Sequence, residues 1–204
     1  MQKRWHRLIT HGVGLISLGW LGWSYFFGDL AIPERYVMLR SGSFGLFLLV
    51  ASLACTPLSR WVWPAAVQLR RALGLYAFAQ ISLHLFMYAW AENALDFALI
   101  VRDLGERRAM LIGLIAFALL IPLALTSTAG WQKRLGKRWR TLHRLVYVAA
   151  PLSVWHYLWL DRDFYTWPLI YAGLVAGLLA TRLPFFRHQR GHLRGTIDEA
   201  PPSP

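Results

Sequence analysis

The chain has 204 residues, of which 56% are hydrophobic and only 16% charged, with 11 Trp and a formal net charge of +12. Soluble domains carry about a quarter charged residues, so this composition excludes an ordinary soluble enzyme. The single cysteine, Cys55, excludes a disulfide framework, a thiolate cluster and Cys-x-x-Cys-His attachment chemistry.

Six apolar runs follow one another, at 8–27, 42–60, 72–91, 109–128, 141–160 and 164–183. Each is long enough as a helix to cross a hydrocarbon core of about 30 Å. The expected fold is therefore an all-α integral membrane bundle of six transmembrane helices, spanning residues 1–186. The first run follows a basic opening, MQKRWHR, but is too long for a signal-peptide core and has no clear cleavage site, so it reads as a retained helix. The second is expected to end at Thr56-Pro57, because Pro57 cannot donate into the helical ladder. Pro122 and Pro151 interrupt the fourth and fifth runs, and Thr126, Ser127 and Thr128 lie close enough to Pro122 to serve freed carbonyls. Gly12, Gly14, Gly19 and Gly22 in the first run, and Gly173 and Gly177 in the sixth, are small residues that permit close helix contact. From Arg187 to Pro204 the chain is basic and then Pro/Ser-rich, as in a disordered tail.

Charge distribution sets the expected orientation. The segments 1–7, 57–72, 128–144 and 182–204 hold 16 of the 22 Lys and Arg, while the alternate loops hold 6, together with 8 of the 10 acids. Short cytoplasmic loops are enriched in Lys and Arg, so both termini are expected in the cytoplasm. The basic balance is thus a topology signal, and nucleic acid is not an expected partner. The loop TSTAGWQKRLGKRWRTLH (126–143) puts Trp131, Trp139 and five Lys or Arg at headgroup level. It reads as an orientation signal with anionic-lipid contact, or as a docking surface for an acidic partner or anionic cofactor.

Seven histidines are present. His6 reads as interfacial, and His188 and His192 lie in the tail. His11, His84, His143 and His156 fall inside apolar runs, where ionisable residues are expensive and carry a functional expectation. No acid lies in the core of any run; Glu92 stands at the outer end of the third. That disfavours a proton relay, a transporter, and zinc or di-iron centres, which would want carboxylate or thiolate partners. Neutral imidazoles facing each other across a bundle suit axial ligation of a non-covalent, b-type haem. At 1.5 Å per residue His84 lies about 18 Å, and His156 about 22 Å, from the cytoplasmic ends of their helices. They are the matched pair. His143 lies only about 3 Å in, where a second haem would need another ligand, and His11 is at similar depth. On an ideal helix His143 and His156 stand about 140° apart. Arg70 and Arg71 could hold a flavin phosphate, a quinone headgroup or a haem propionate, or serve as positive-inside residues.

SGSFGLFLLVASLACTPLSR (41–60), RRALGLYAFAQISLHLFMYAWAE (70–92) and LALTSTAGWQKRLGKRWRTLHRLVYVAAPLSVWHYLW (123–159) resemble the MsrQ (YedZ) family. The likeness runs over nearly all of 8–185. That family is the haem-binding membrane subunit of a bacterial periplasmic protein-methionine-sulfoxide reductase system, within the ferric-reductase-like transmembrane domains. The resemblance implies a b-haem protein of the inner membrane, with one or two haems, that also binds FMN. It would pass electrons from the quinone pool, or a cytosolic flavin reductase, to a periplasmic molybdopterin subunit that reduces methionine sulfoxide. It places haem ligands at His84, His143 and His156. Oxidase relatives carry a histidine pair on each of two helices, whereas the third run here has one. The competing expectation is a stand-alone ferric or quinone oxidoreductase cytochrome.

Overall fold

The computed structural model of the chain describes residues 2–160 and 166–182. It is all-helical, with no strand among the described residues. Helix α1 is Gln2–Phe27, α2 Pro33–Trp61, α3 Arg70–Met87, α4 Phe97–Glu106, α5 Arg108–Leu125, α6 Ala129–Leu135, α7 Lys137–Leu142, α8 Val146–Leu160 and α9 Thr166–Ala180. A 310 turn, Pro64–Gln68, joins α2 to α3, and α3 runs on through a π turn, Tyr88–Glu92. Asp161, Asp163 and the tail from Arg187, with His188 and His192, lie outside the described residues.

Three helical stretches are long and apolar enough to cross a membrane: Pro33–Trp61, Arg70–Glu92 and Arg108–Leu125. Helix α9 is apolar but only 15 residues long. Large apolar side chains line the outside, among them Ile16, Trp20, Phe47, Leu125, Val148 and Leu169, each more than half exposed. An apolar exterior over an apolar interior is what lipid, and not water, allows.

The core lies between α2, α3, α5, α8 and α9. Leu46, Leu49 and Leu53 of α2 meet Ala77 of α3, Leu120 of α5, Ala149, Ala150 and Val154 of α8 and Val175 of α9. Small residues set the spacing. A Cβ on Gly45 would stand 2.5 Å from Cγ1 of Ile81, so α2 and α3 are closer there than any side chain would permit. Gly14 does the same for α1 against the ring of Tyr76. Gly12, Gly19, Gly22, Gly173 and Gly177 face open space instead, so the close contacts expected from them are not made within this chain.

Helix α2 corrects the expected stop at Pro57. It continues to Trp61 with Pro57 inside it, because the carbonyl that Pro57 leaves free is supplied from elsewhere. That carbonyl is Leu53 O, four residues earlier, and Nη2 of Arg182 donates to it at 2.8 Å. Nη1 of Arg182 donates to the Tyr147 hydroxyl, and the guanidinium stands 4.8 Å from that ring's centre. Beyond Pro122 the hydroxyls bond the last carbonyls of α5 and not the one that Pro122 frees, Ala118 O: Thr126 Oγ1 donates to Pro122 O and Ser127 Oγ to Leu123 O, each at 2.6 Å. Thr128 instead caps α6, accepting from Trp131 N at 3.4 Å.

The connection between α3 and α5 holds an unexpected helix. Asp96 caps α4 by accepting from Ala98 N at 2.8 Å. Tyr88, in the π turn, donates to Oδ2 of Asp103 at 2.5 Å, and Asp103 also pairs with Arg107 at 2.8 Å. These bonds tie α4 to the end of α3. The bundle thus has an acidic end, with Glu34, Glu92, Asp96 and Asp103, and a basic end, with Arg60, Arg70 and Arg182.

Candidate functional site

His84 of α3 and His156 of α8 face each other near the acidic end. Their ring centroids are 6.2 Å apart and their planes are inclined at 78°. The rings are partly buried, and each is held by its Nδ1. Nδ1 of His84 bonds Met38 O of α2 at 2.8 Å, and Nδ1 of His156 bonds Ala109 O of α5 at 2.7 Å. A carbonyl can only accept, so both Nδ1 atoms carry the proton and both Nε2 atoms keep a lone pair. Two imidazoles with free Nε2 atoms and fixed tautomers are a pair of prepared metal ligands.

Sequence reasoning from depth had matched these two histidines, and the structure brings them together. It missed what seats them. A Cβ on Gly42 would stand 2.9 Å from Nδ1 of His84, and one on Gly113 would stand 2.7 Å from Nδ1 of His156. No signal in the sequence marks these glycines until it is known which helix lies across from each ring. Also unforeseen is the stacked pair Phe78 and Phe117, 5.5 Å between centroids at 4°, on the basic-end side of the histidines.

His143 lies elsewhere. It opens a 310 turn, His143–Leu145, that separates α7 from α8, so the run expected as one helix over 141–160 is broken at its start. The ideal-helix angle between His143 and His156 therefore does not apply. The ring stacks on Trp139 at 3.9 Å between centroids, and its Nδ1 bonds Trp139 O at 3.2 Å. The Trp139 indole in turn donates to Thr126 O at 2.9 Å. His11 of α1 stands against Tyr76, with Nδ1 3.1 Å from the hydroxyl. Arg70 begins α3, half-buried, with its carbonyl accepting from Ser52 Oγ at 2.9 Å; Arg71 beside it is exposed. At the acidic end a recess of about 560 Å³ is lined by Ile32, Glu34, Arg35, Trp90, Glu92 and Leu95.

Among the described residues, no group of three or more His, Cys, Asp or Glu side chains could hold a bare metal ion. The chain is 43% identical over 193 residues, 93% of its own length and 93% of the relative's, to the protein-methionine-sulfoxide reductase heme-binding subunit MsrQ of Rhodospirillum rubrum. The chain belongs to the MsrQ family. Residues 41–154 also match the ferric reductase like transmembrane component, a stretch that contains Gly42, His84, Gly113 and His143. No solved structure matches this MsrQ-family chain.

Proposed function

We propose that the chain is a transmembrane b-type cytochrome whose principal haem is held by His84 and His156. The observation that carries this is the facing pair of Nδ1-anchored rings. Two metal–imidazole bonds of about 2 Å, with each ring centre about 1 Å beyond its nitrogen, put the centroids about 6 Å apart, and the observed separation is 6.2 Å. His84 and His156 would each give the iron one imidazole nitrogen and a tetrapyrrole would give the other four donors, so the donor set fits haem. When bound, haem supplies a one-electron site within the bilayer. The protein fixes the tautomers, orients the rings and surrounds them with apolar side chains that exclude water.

In this reading six helices cross the inner membrane, with the basic end in the cytoplasm. Electrons enter at that end, from quinol or a cytosolic flavin reductase, and leave at the acidic end to the periplasmic molybdopterin methionine-sulfoxide reductase. The relative's printed name supports the haem and the methionine-sulfoxide reductase partner. Arg70 and Arg71 are positioned at the basic end for an anionic group, an FMN phosphate or a propionate. A second haem at His143 has one observation in its favour: its Nδ1 is also anchored on a carbonyl, at 3.2 Å.

The test is the visible spectrum of the purified protein before and after dithionite. The wild type should show a Soret band that shifts on reduction. His84→Ala and His156→Ala should each lose it, and an unchanged band in both would refute the assignment. Haem stoichiometry in His143→Ala distinguishes one haem from two.

A further inference from the structure

Each histidine is seated on its neighbouring helix by the same two-part device. His84 bonds the carbonyl of Met38, and the residue four positions on is Gly42, whose missing Cβ leaves room for the ring. His156 bonds the carbonyl of Ala109, and four positions on is Gly113, again open to the ring. In an α-helix the carbonyl of residue i already accepts from the N–H of residue i+4. Each ring reaches that oxygen from the side over residue i+4, where a Cβ would stand in its way; Met38 O takes a further bond from Ser41 Oγ at 3.0 Å. Among the histidines the pattern appears twice, on two helices of different sequence, beneath each of the two facing rings; at Arg70 O and Gly74 it receives the Ser52 hydroxyl with more room, 3.5 Å from a Cβ.

We infer that Gly42 and Gly113 are positioning residues that set the angle between the two axial imidazoles and the strength of their hydrogen bonds. This rests on the proposed ligation by His84 and His156. A methyl group 2.9 Å from Nδ1 of His84, or 2.7 Å from Nδ1 of His156, lies well inside the contact distance of about 3.5 Å. Each ring would have to move off its carbonyl and turn. Two consequences follow for the iron. Imidazole planes at 78° leave the two metal orbitals that overlap them nearly equal in energy, which gives a strongly anisotropic low-spin ferric signal; nearly parallel planes split those orbitals and give a rhombic one. Donation from Nδ1–H to a carbonyl makes the ligand more basic and favours the ferric state, so weakening that bond raises the midpoint potential.

The experiment is low-temperature electron paramagnetic resonance and a spectroelectrochemical titration of the purified, haem-loaded protein. The variants are Gly42→Ala and Gly113→Ala, with Gly173→Ala, which faces open space, as control. The wild type and the control should share a strongly anisotropic signal. The two seat variants should show a less anisotropic signal and a higher midpoint potential, or lose haem at an unchanged melting temperature. Alanine is a better helix former than glycine, so the helices themselves gain from the change. Seat variants with the wild-type signal and potential would overturn the inference. So would a rhombic signal from the wild type, a result that needs no variant to fold. Full haem retention in His84→Ala and His156→Ala would instead refute the ligation on which the inference rests.

Discussion

Replacing Arg182 by Met removes the donor that lets α2 continue past Pro57. The Leu53 carbonyl has no partner from Pro57, and Nη2 of Arg182 reaches it at 2.8 Å. Leu53 is 1% exposed, so water does not take the donor's place. A buried acceptor left unpaired costs about 1–3 kcal/mol, and loss of the Tyr147 hydroxyl bond adds about 0.5–1.5 kcal/mol. Arg182→Met should therefore lower the unfolding free energy by about 2–4 kcal/mol. Pro57→Ala places a backbone N–H under the same carbonyl, and in that background Arg182→Met should cost about 1–3 kcal/mol less. The assay is a four-protein cycle of denaturant unfolding in detergent, read by tryptophan fluorescence and helical circular dichroism. Costs that add within about 0.5 kcal/mol would refute the argument that Arg182 substitutes for the missing N–H.

Tyr88→Phe removes the 2.5 Å bond to Asp103, a hydrogen bond to a charged acceptor worth about 1.5–3 kcal/mol. Arg107 keeps hold of Asp103, so the lower figure applies, and amides of α4 should exchange hydrogen about tenfold faster with the haem spectrum unchanged; unaltered exchange would show that this bond does not hold α4. Exposed Glu92 and half-buried Glu34 flank the recess at the acidic end. Glu34→Gln with Glu92→Gln should slow electron delivery to the proposed methionine-sulfoxide reductase partner at low ionic strength by about tenfold, with the difference vanishing in high salt; equal rates at both salts would exclude an electrostatic dock there.

An all-helical membrane bundle was legible because apolar runs report lipid directly, and among the described residues three of the six runs correspond to helical stretches long and apolar enough to cross a membrane. The pairing of His84 with His156 was legible too, since counting residues from the basic ends gives depth. Local signals explain one omission: Asp96 followed by an apolar stretch was an available cap for α4, overlooked within a loop read for its acids. The remaining differences are long-range. Pro57 reads as a helix end until Arg182, 129 residues away, supplies its lost bond. Likewise Gly42 and Gly113 look like any small residues of an apolar helix until His84 and His156 arrive across from them. The break at His143 combines both kinds, a 310 turn stabilised by stacking on Trp139 with no proline or glycine to announce it.

The most direct test of the central claim is electron passage across a sealed membrane. The protein is reconstituted into vesicles with a soluble one-electron acceptor trapped inside, and only molecules whose basic end faces outward can be driven by the externally added reductant, a quinol or a reduced flavin with its reductase. The account predicts that the trapped acceptor is reduced with the wild-type protein, and that this reduction is lost in His84→Ala and His156→Ala while the vesicles stay sealed. Equal reduction of the trapped acceptor in the wild type and both variants would contradict it.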